Sequence, residues 1–77
     1  MAKKVMFFLI YAFENIKEVR KTLNHLDFTT CEISFEEANI IARIKEDEDK
    51  AKELLEKIKA IKGVGDVMLI QKRIHFD

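Results

Sequence analysis

The longest uninterrupted apolar stretch of the chain, Val5-Met6-Phe7-Phe8-Leu9-Ile10-Tyr11-Ala12-Phe13, lies between Lys3-Lys4 and Glu14-Asn15. A run this short and this rich in aromatics suits a strand buried on both faces better than a helix, and it is expected at the centre of a sheet. The spacing then lengthens. Asn15 and Glu18 stand at the capping-box interval, and Ile16, Val19, Leu23 and Leu26 recur at helical spacing among Lys17, Glu18, Arg20, Lys21 and Asn24. From Thr29 the period falls to two: Cys31, Ile33 and Phe35 alternate with Thr30, Glu32 and Ser34, which predicts an edge strand whose apolar set, Cys31 included, is buried.

Glu36-Glu37-Ala38-Asn39 turns the chain without Gly or Pro, so this hairpin rests on its flanks more than on turn chemistry. Ile40 to Lys45 forms a third strand, with Ile40, Ala42 and Ile44 on one face and Ile41, Arg43 and Lys45 on the other. Asp47 is placed to cap a second helix, and Glu48 and Asp49 put negative charge in its first turn, where the helix dipole favours it. Ala51, Leu54, Leu55, Ile58 and Ile61 make its apolar stripe, and Gly63, after Lys57, Lys59 and Lys62, reads as a helix stop with positive φ. A last strand runs from Val67 to about His75 or Phe76, its alternation blurred where Gln71, Lys72 and Arg73 arrive together.

The elements repeat strand, helix, strand twice, so residues 1–77 are expected to form a single α+β domain of the ferredoxin-like, split β-α-β type (βαββαβ). Two right-handed crossovers give an antiparallel sheet of order 4-1-3-2, with the first and third strands central and two helices on one face. Two helices cover only one face, yet the first strand is apolar on both, with Val5, Phe7, Leu9 and Tyr11 alternating against Met6, Phe8 and Ile10. The excess needs a cover. The candidate interface is the uncovered face: Phe7, Leu9 and Tyr11, with Ile41 and Arg43 from the third strand and Leu69, Gln71 and Arg73 from the last. On that strand either Val67 and Leu69 or Met68 and Ile70 can extend the patch, and Glu32, Ser34, Arg43, Gln71 and Arg73 can rim it. A central apolar patch with a polar rim suits a homodimer interface or a groove for a peptide or small ligand.

Composition narrows the partners. Fourteen basic and fourteen acidic residues cancel, so the overall field that favours nucleic acid or an anionic membrane is missing, and neither is expected as a partner. Split β-α-β domains of the RNA-recognition type place aromatics on their sheets, but their glycine-aromatic signature is absent from Ile40 to Lys45. No apolar run approaches the roughly 20 residues of a membrane-spanning helix. A lone cysteine and no signal-peptide pattern point to the cytoplasm. At 77 residues a single core is only marginally stable, which association would relieve.

No catalytic residue and no cofactor is expected. Cys31, His25 and His75 lack paired metal-ligand spacing, Ser34 is the only serine and has no histidine nearby, and His25 reads as a favourable charge at a helix end or a surface group. Glu46-Asp47-Glu48-Asp49 lacks the glycine turn and alternating ligands of a calcium loop and reads as a solvated helix start. Lys62-Gly63-Val64-Gly65 follows a helix, where phosphate loops precede one.

The segment Ile40-Ile41-Ala42-Arg43-Ile44-Lys45-Glu46-Asp47, the amphipathic helix after it and Ile61-Lys62-Gly63-Val64 opening a strand resemble two families. One is the ligand-binding domain of Lrp/AsnC-type regulators, which would imply a small effector, often an amino acid, bound at a dimer interface. The regulators' DNA-binding helices have no counterpart here, nor has a Gly-x-x-Asp-like turn between the second and third strands, although stand-alone effector domains exist. The other is the NapD-type assembly chaperones, with a similar ending and a Cys-Glu-hydrophobic strand like Cys31-Glu32-Ile33, which would imply capture of a twin-arginine signal peptide on the sheet face, where Glu32, Glu36 and Glu37 could meet the arginines. A third reading is a small structural domain, natural or engineered, without a ligand.

Overall fold

The computed structural model describes residues 3–70. Its elements are β1 (Lys4–Ala12), α1 (Ile16–His25), β2 (Thr29–Glu32), β3 (Ile40–Glu46), α2 (Glu48–Lys59) and β4 (Val64–Ile70). The four strands form one antiparallel sheet in the order β2-β3-β1-β4, the neighbour order that reads 4-1-3-2 from the opposite edge, and this α+β arrangement is compatible with a ferredoxin-like fold. Among the described residues no helix is long and apolar enough to cross a membrane.

The core settles which face of β1 meets the helices. Met6, Phe8, Ile10 and Ala12 are buried together with Ile40 and Ala42 of β3, Val67 of β4, Val19 and Leu23 of α1, and Ala51, Leu54 and Ile58 of α2. Phe8 meets Phe28 edge to face, with ring centroids 5.5 Å apart. Facing residues on paired strands share a face of the sheet, so Phe8, Ala42 and Leu69 form one row under the helices.

Helix α2 starts as its sequence suggests: the Lys50 backbone N–H donates to the Asp47 carboxylate at 2.9 Å. Helix α1 does not. Asn15 has left-handed backbone angles, φ 51° and ψ 50°, and its side chain makes no capping bond, so the expected capping box with Glu18 is not formed. A capping side chain reaches the free N–H groups from an extended backbone, which Asn15 lacks. At the other end, Asp27 takes φ 70°, and the Phe28 and Asp27 N–H groups donate to Leu23 O and Asn24 O. That is a Schellman closure, sealed by burial of both Phe28 and Leu23.

Gly63 has the expected positive φ of 97°, but it sits in a tight turn beyond α2 in which the Val64 N–H donates to Ile61 O at 3.1 Å, and not at the helix cap. The Phe13 N–H donates to Gly63 O, and a Cβ built on Gly63 would lie 2.6 Å from Glu14 O. Glycine is therefore required where the end of β1 passes the start of β4. β4 opens at Val64 rather than Val67, and its extension to His75 or Phe76 lies outside the described residues.

Strand β2 is shorter than expected, ending at Glu32, and its polarity runs opposite to the expectation. Cys31 is exposed and pairs with Ile41, while Thr30 and Glu32 pair with Ala42 and Ile40 on the helix side. Arg20 of α1 explains the choice: its Nε donates to Thr30 Oγ1 at 3.1 Å, one terminal nitrogen donates to Thr30 O, and the other lies 3.4 Å from Glu32 Oε2. A polar clamp replaces apolar packing between α1 and the edge strand.

Candidate interaction surface

Side chains alternate across a strand, so the residues between the core positions of β1 point away from the helices. Phe7, Leu9 and Tyr11 do so, as does Val5, which is 50% exposed. Register adds their neighbours. Leu9 faces Ile41 on one side and Met68 on the other, Ile41 faces Cys31, and Phe7 lies between Arg43 and Ile70. All four strands thus contribute apolar or weakly polar side chains to a face that, among the described residues, no helix covers, and Tyr11 and Met68 are 42% and 54% exposed on it.

Of the candidate residues, Phe7, Leu9, Tyr11, Ile41 and Arg43 come together on this face. Leu69 does not. It pairs with Phe8 and packs on the core, and the unbroken register from Asp66 to Ile70 sets Met68 and Ile70, instead, opposite Leu9 and Phe7. Gln71 and Arg73 lie outside the described residues. Glu32 leaves the rim for Arg20, as described above.

Near the β2–β3 connection the face deepens into a groove of about 500 Å³, floored by Leu9, Tyr11 and Met68 and edged by Glu36, Glu37 and Asp66. Phe35, 69% exposed, continues its wall beside Leu9. Gly65 helps to shape it: a Cβ there would lie 3.3 Å from the Tyr11 ring and 3.2 Å from the Phe13 ring, so the glycine lets both aromatics lie over β4. Sequence reasoning leaves Met68 as one of two alternatives on β4 and takes Glu36 and Glu37 as carboxylates that could meet a peptide's arginines, but misses Asp66 and Phe35 as lining residues. The available signal was the apolar alternation Cys31, Ile33, Phe35, which was read as core-facing although Cys31 and Phe35 belong to the uncovered side.

Other chemistry-bearing side chains are dispersed. His25 is exposed in the last turn of α1, and Ser34 is exposed after β2. The acidic run at α2 divides its tasks: Asp47 caps the helix, Glu46 lies 3.8 Å from Lys3 Nζ, and Lys4 Nζ donates to Glu48 Oε1 at 2.7 Å. That hydrogen bond, and secondly the Lys4 charge, hold the Glu48 carboxyl below its ordinary range. Among the described residues no group of three or more His, Cys, Asp or Glu side chains could hold a metal ion, and no buried side-chain polar atom is without a partner. Comparison with protein-family models, with curated proteins and with solved structures finds no match. The likenesses to the Lrp/AsnC effector domains and to the NapD chaperones rest on the residues quoted for them.

Proposed function

We propose that the protein is a non-enzymatic, dimeric ligand-binding or regulatory module, of the kind represented by Lrp/AsnC effector domains, that associates through its uncovered sheet face. One observation carries this reading: apolar side chains from all four strands converge on a face over which none of the described residues forms a second layer. Monomeric proteins seldom expose a contiguous apolar patch of this kind without using it, and symmetric dimers are the commonest way to cover one. A cytoplasmic setting belongs to the same reading, because Cys31 is an exposed free thiol. Sedimentation equilibrium tests it. A reversible dimer is expected, and Leu9→Arg, which sets a charge at the centre of the face, is expected to give a folded monomer. A strict monomer at about 1 mM, where even −4 kcal/mol of binding free energy drives association, overturns it.

A second reading is favoured by the groove, whose apolar floor and three carboxylates suit an extended peptide carrying both apolar and basic side chains. This is the behaviour of a signal-peptide chaperone of the NapD kind. Titration with a twin-arginine peptide is then expected to shift amide resonances of Leu9, Tyr11 and Met68. Absence of any shift on the sheet removes this reading.

A further inference from the structure

The uncovered face is electrically polar along β1. At one end Arg43 stands beside Phe7 and Lys45 beside Val5, both exposed. At the other, Asp66 stands beside Tyr11, and Glu36 and Glu37 edge the groove. Among the described residues none of these five charges takes part in an ion pair. Between the two ends lies an apolar middle row running across the strands: Cys31, Ile41, Leu9 and Met68.

We propose that two copies of the chain pack uncovered face to uncovered face about a two-fold axis that lies in the interface, runs across the strands and passes close to the Leu9 row. The proposal rests on the dimer reading above and adds its geometry. Two limiting axes can bring the same face onto itself. An axis along the strands sets the acidic end on the acidic end and the basic on the basic, which opposes association. An axis across the strands reverses strand direction and sets each acidic end on a basic one, twice per dimer. Leu9 lies midway between Tyr11, beside Asp66, and Phe7, beside Arg43, so an axis through its row superposes the opposite charges. The domain is a slab 16 Å thick with a broad face of 35 by 29 Å, large enough for the roughly 800 Å² per partner of a stable interface.

This axis has a consequence at β2. It places β2 over β2 of the second copy, with the chain's only cysteine, Cys31, near the axis and facing its own counterpart. Sheets packed face to face stand about 10 Å apart, and both thiols point into that gap. An axis along the strands instead lays β2 over β4 and separates the two cysteines across the width of the sheet.

A short homobifunctional maleimide applied to the full chain is expected to give covalent dimers, with Cys31→Ser as the blank. In parallel, Glu36→Gln with Glu37→Gln is expected to raise the dimer dissociation constant on the order of tenfold and to flatten its salt dependence. Both residues are exposed outside the strands, and circular dichroism checks that the fold is kept. The Glu36→Lys, Glu37→Lys variant and the Arg43→Glu, Lys45→Glu variant are each expected to dimerise poorly alone and to recover when mixed. A dimer that tightens when the glutamates are neutralised, or that yields no cross-link at Cys31, overturns the proposed axis while leaving a dimer. A monomer overturns the dimer reading itself.

Discussion

Asn39 offers the sharpest test of how the sheet is held together. Strand β3 begins at Ile40, opposite Ile10, so Ala12 on β1 has no β3 residue to pair with. The Asn39 side-chain amide takes that place. Ala12 N–H donates to Asn39 Oδ1 at 2.8 Å, and Asn39 Nδ2 donates to Ala12 O, also at 2.8 Å. The Asn39 backbone N–H donates to Ile10 O at 3.0 Å, and its carbonyl accepts from Ile33 N–H at 3.0 Å, so one residue joins β1 to the β2–β3 connection. Ala12 is only 3% exposed, so its peptide groups depend on that amide. Two such bonds contribute about 1–3 kcal/mol net, against a total of roughly 4–12 kcal/mol for a chain of this size. Asn39→Ala is therefore expected to lower the thermal midpoint by about 8–16 °C for a loss near 2 kcal/mol. Thermal and urea melts followed by circular dichroism check this, and a loss below about 0.5 kcal/mol refutes the reasoning. Asn39→Asp separates the two bonds. It keeps the acceptor for Ala12 N–H but turns an anionic oxygen toward Ala12 O, which raises the introduced carboxyl's pKa in the folded state. The bond it can donate when protonated is then present at low pH and lost as pH rises through the folded value. The penalty relative to the parent chain should shrink in acid, and a pH-independent penalty contradicts the assignment.

Three further substitutions probe backbone and charge. Gly63→Ala forces a side chain onto φ 97° with its Cβ 2.6 Å from Glu14 O, and a loss of at least about 1–3 kcal/mol is expected from the conformation alone. An unchanged urea midpoint would show that the turn relaxes freely. Asp27→Gly relieves a non-glycine residue at φ 70° in the α1 closure and is expected to gain about 0.5–1 kcal/mol, a result reversed if the Asp27 side chain is needed there. Glu48 is lowered by its bond to Lys4, so its contribution is present above the ordinary carboxylate range and fades as pH falls through its folded value. The stability difference between the parent and Glu48→Gln should therefore vanish in acid, and a difference that persists there excludes the Lys4 pair as its source.

Local signals were the readable ones. The stripe of α2 and its Asp47 cap involve residues within a turn of one another, and the sequence carries both. The central place of β1 followed from its length and its two apolar faces. Those two faces also hid the choice between them: Phe7 and Leu9 look as core-like as Phe8 and Ile10, and the decision is made by Ile40 and Ala42 on the neighbouring strand. Leu69 was misplaced because Val67, Met68, Leu69 and Ile70 are all apolar, so their alternation does not choose a face, and only the register with β1 does. The Asn15 box failed because Asn tolerates left-handed angles, and the chain uses that tolerance to leave β1 instead of capping α1.

The reversed polarity of β2 says most about function. In an isolated two-layer domain, an edge strand gains by turning its apolar side toward the helices and its polar side toward water. Here Thr30 and Glu32 face α1 and are held by Arg20, while Cys31 and the Phe35 that follows face outward. Turning β2 over by a one-residue slip would bury Cys31 but would strand the Arg20 guanidinium, so clamp and exposure are one choice. The same choice lines up Cys31, Ile41, Leu9 and Met68 into an apolar row across the full width of the sheet. A chain without a partner would resist non-specific association better with a charge in that row, yet this one confines its charges to the two ends of the face and leaves the middle apolar. Such a face is matched by a surface with an apolar centre and the opposite order of charge, and the chain's own face, turned end for end, has both.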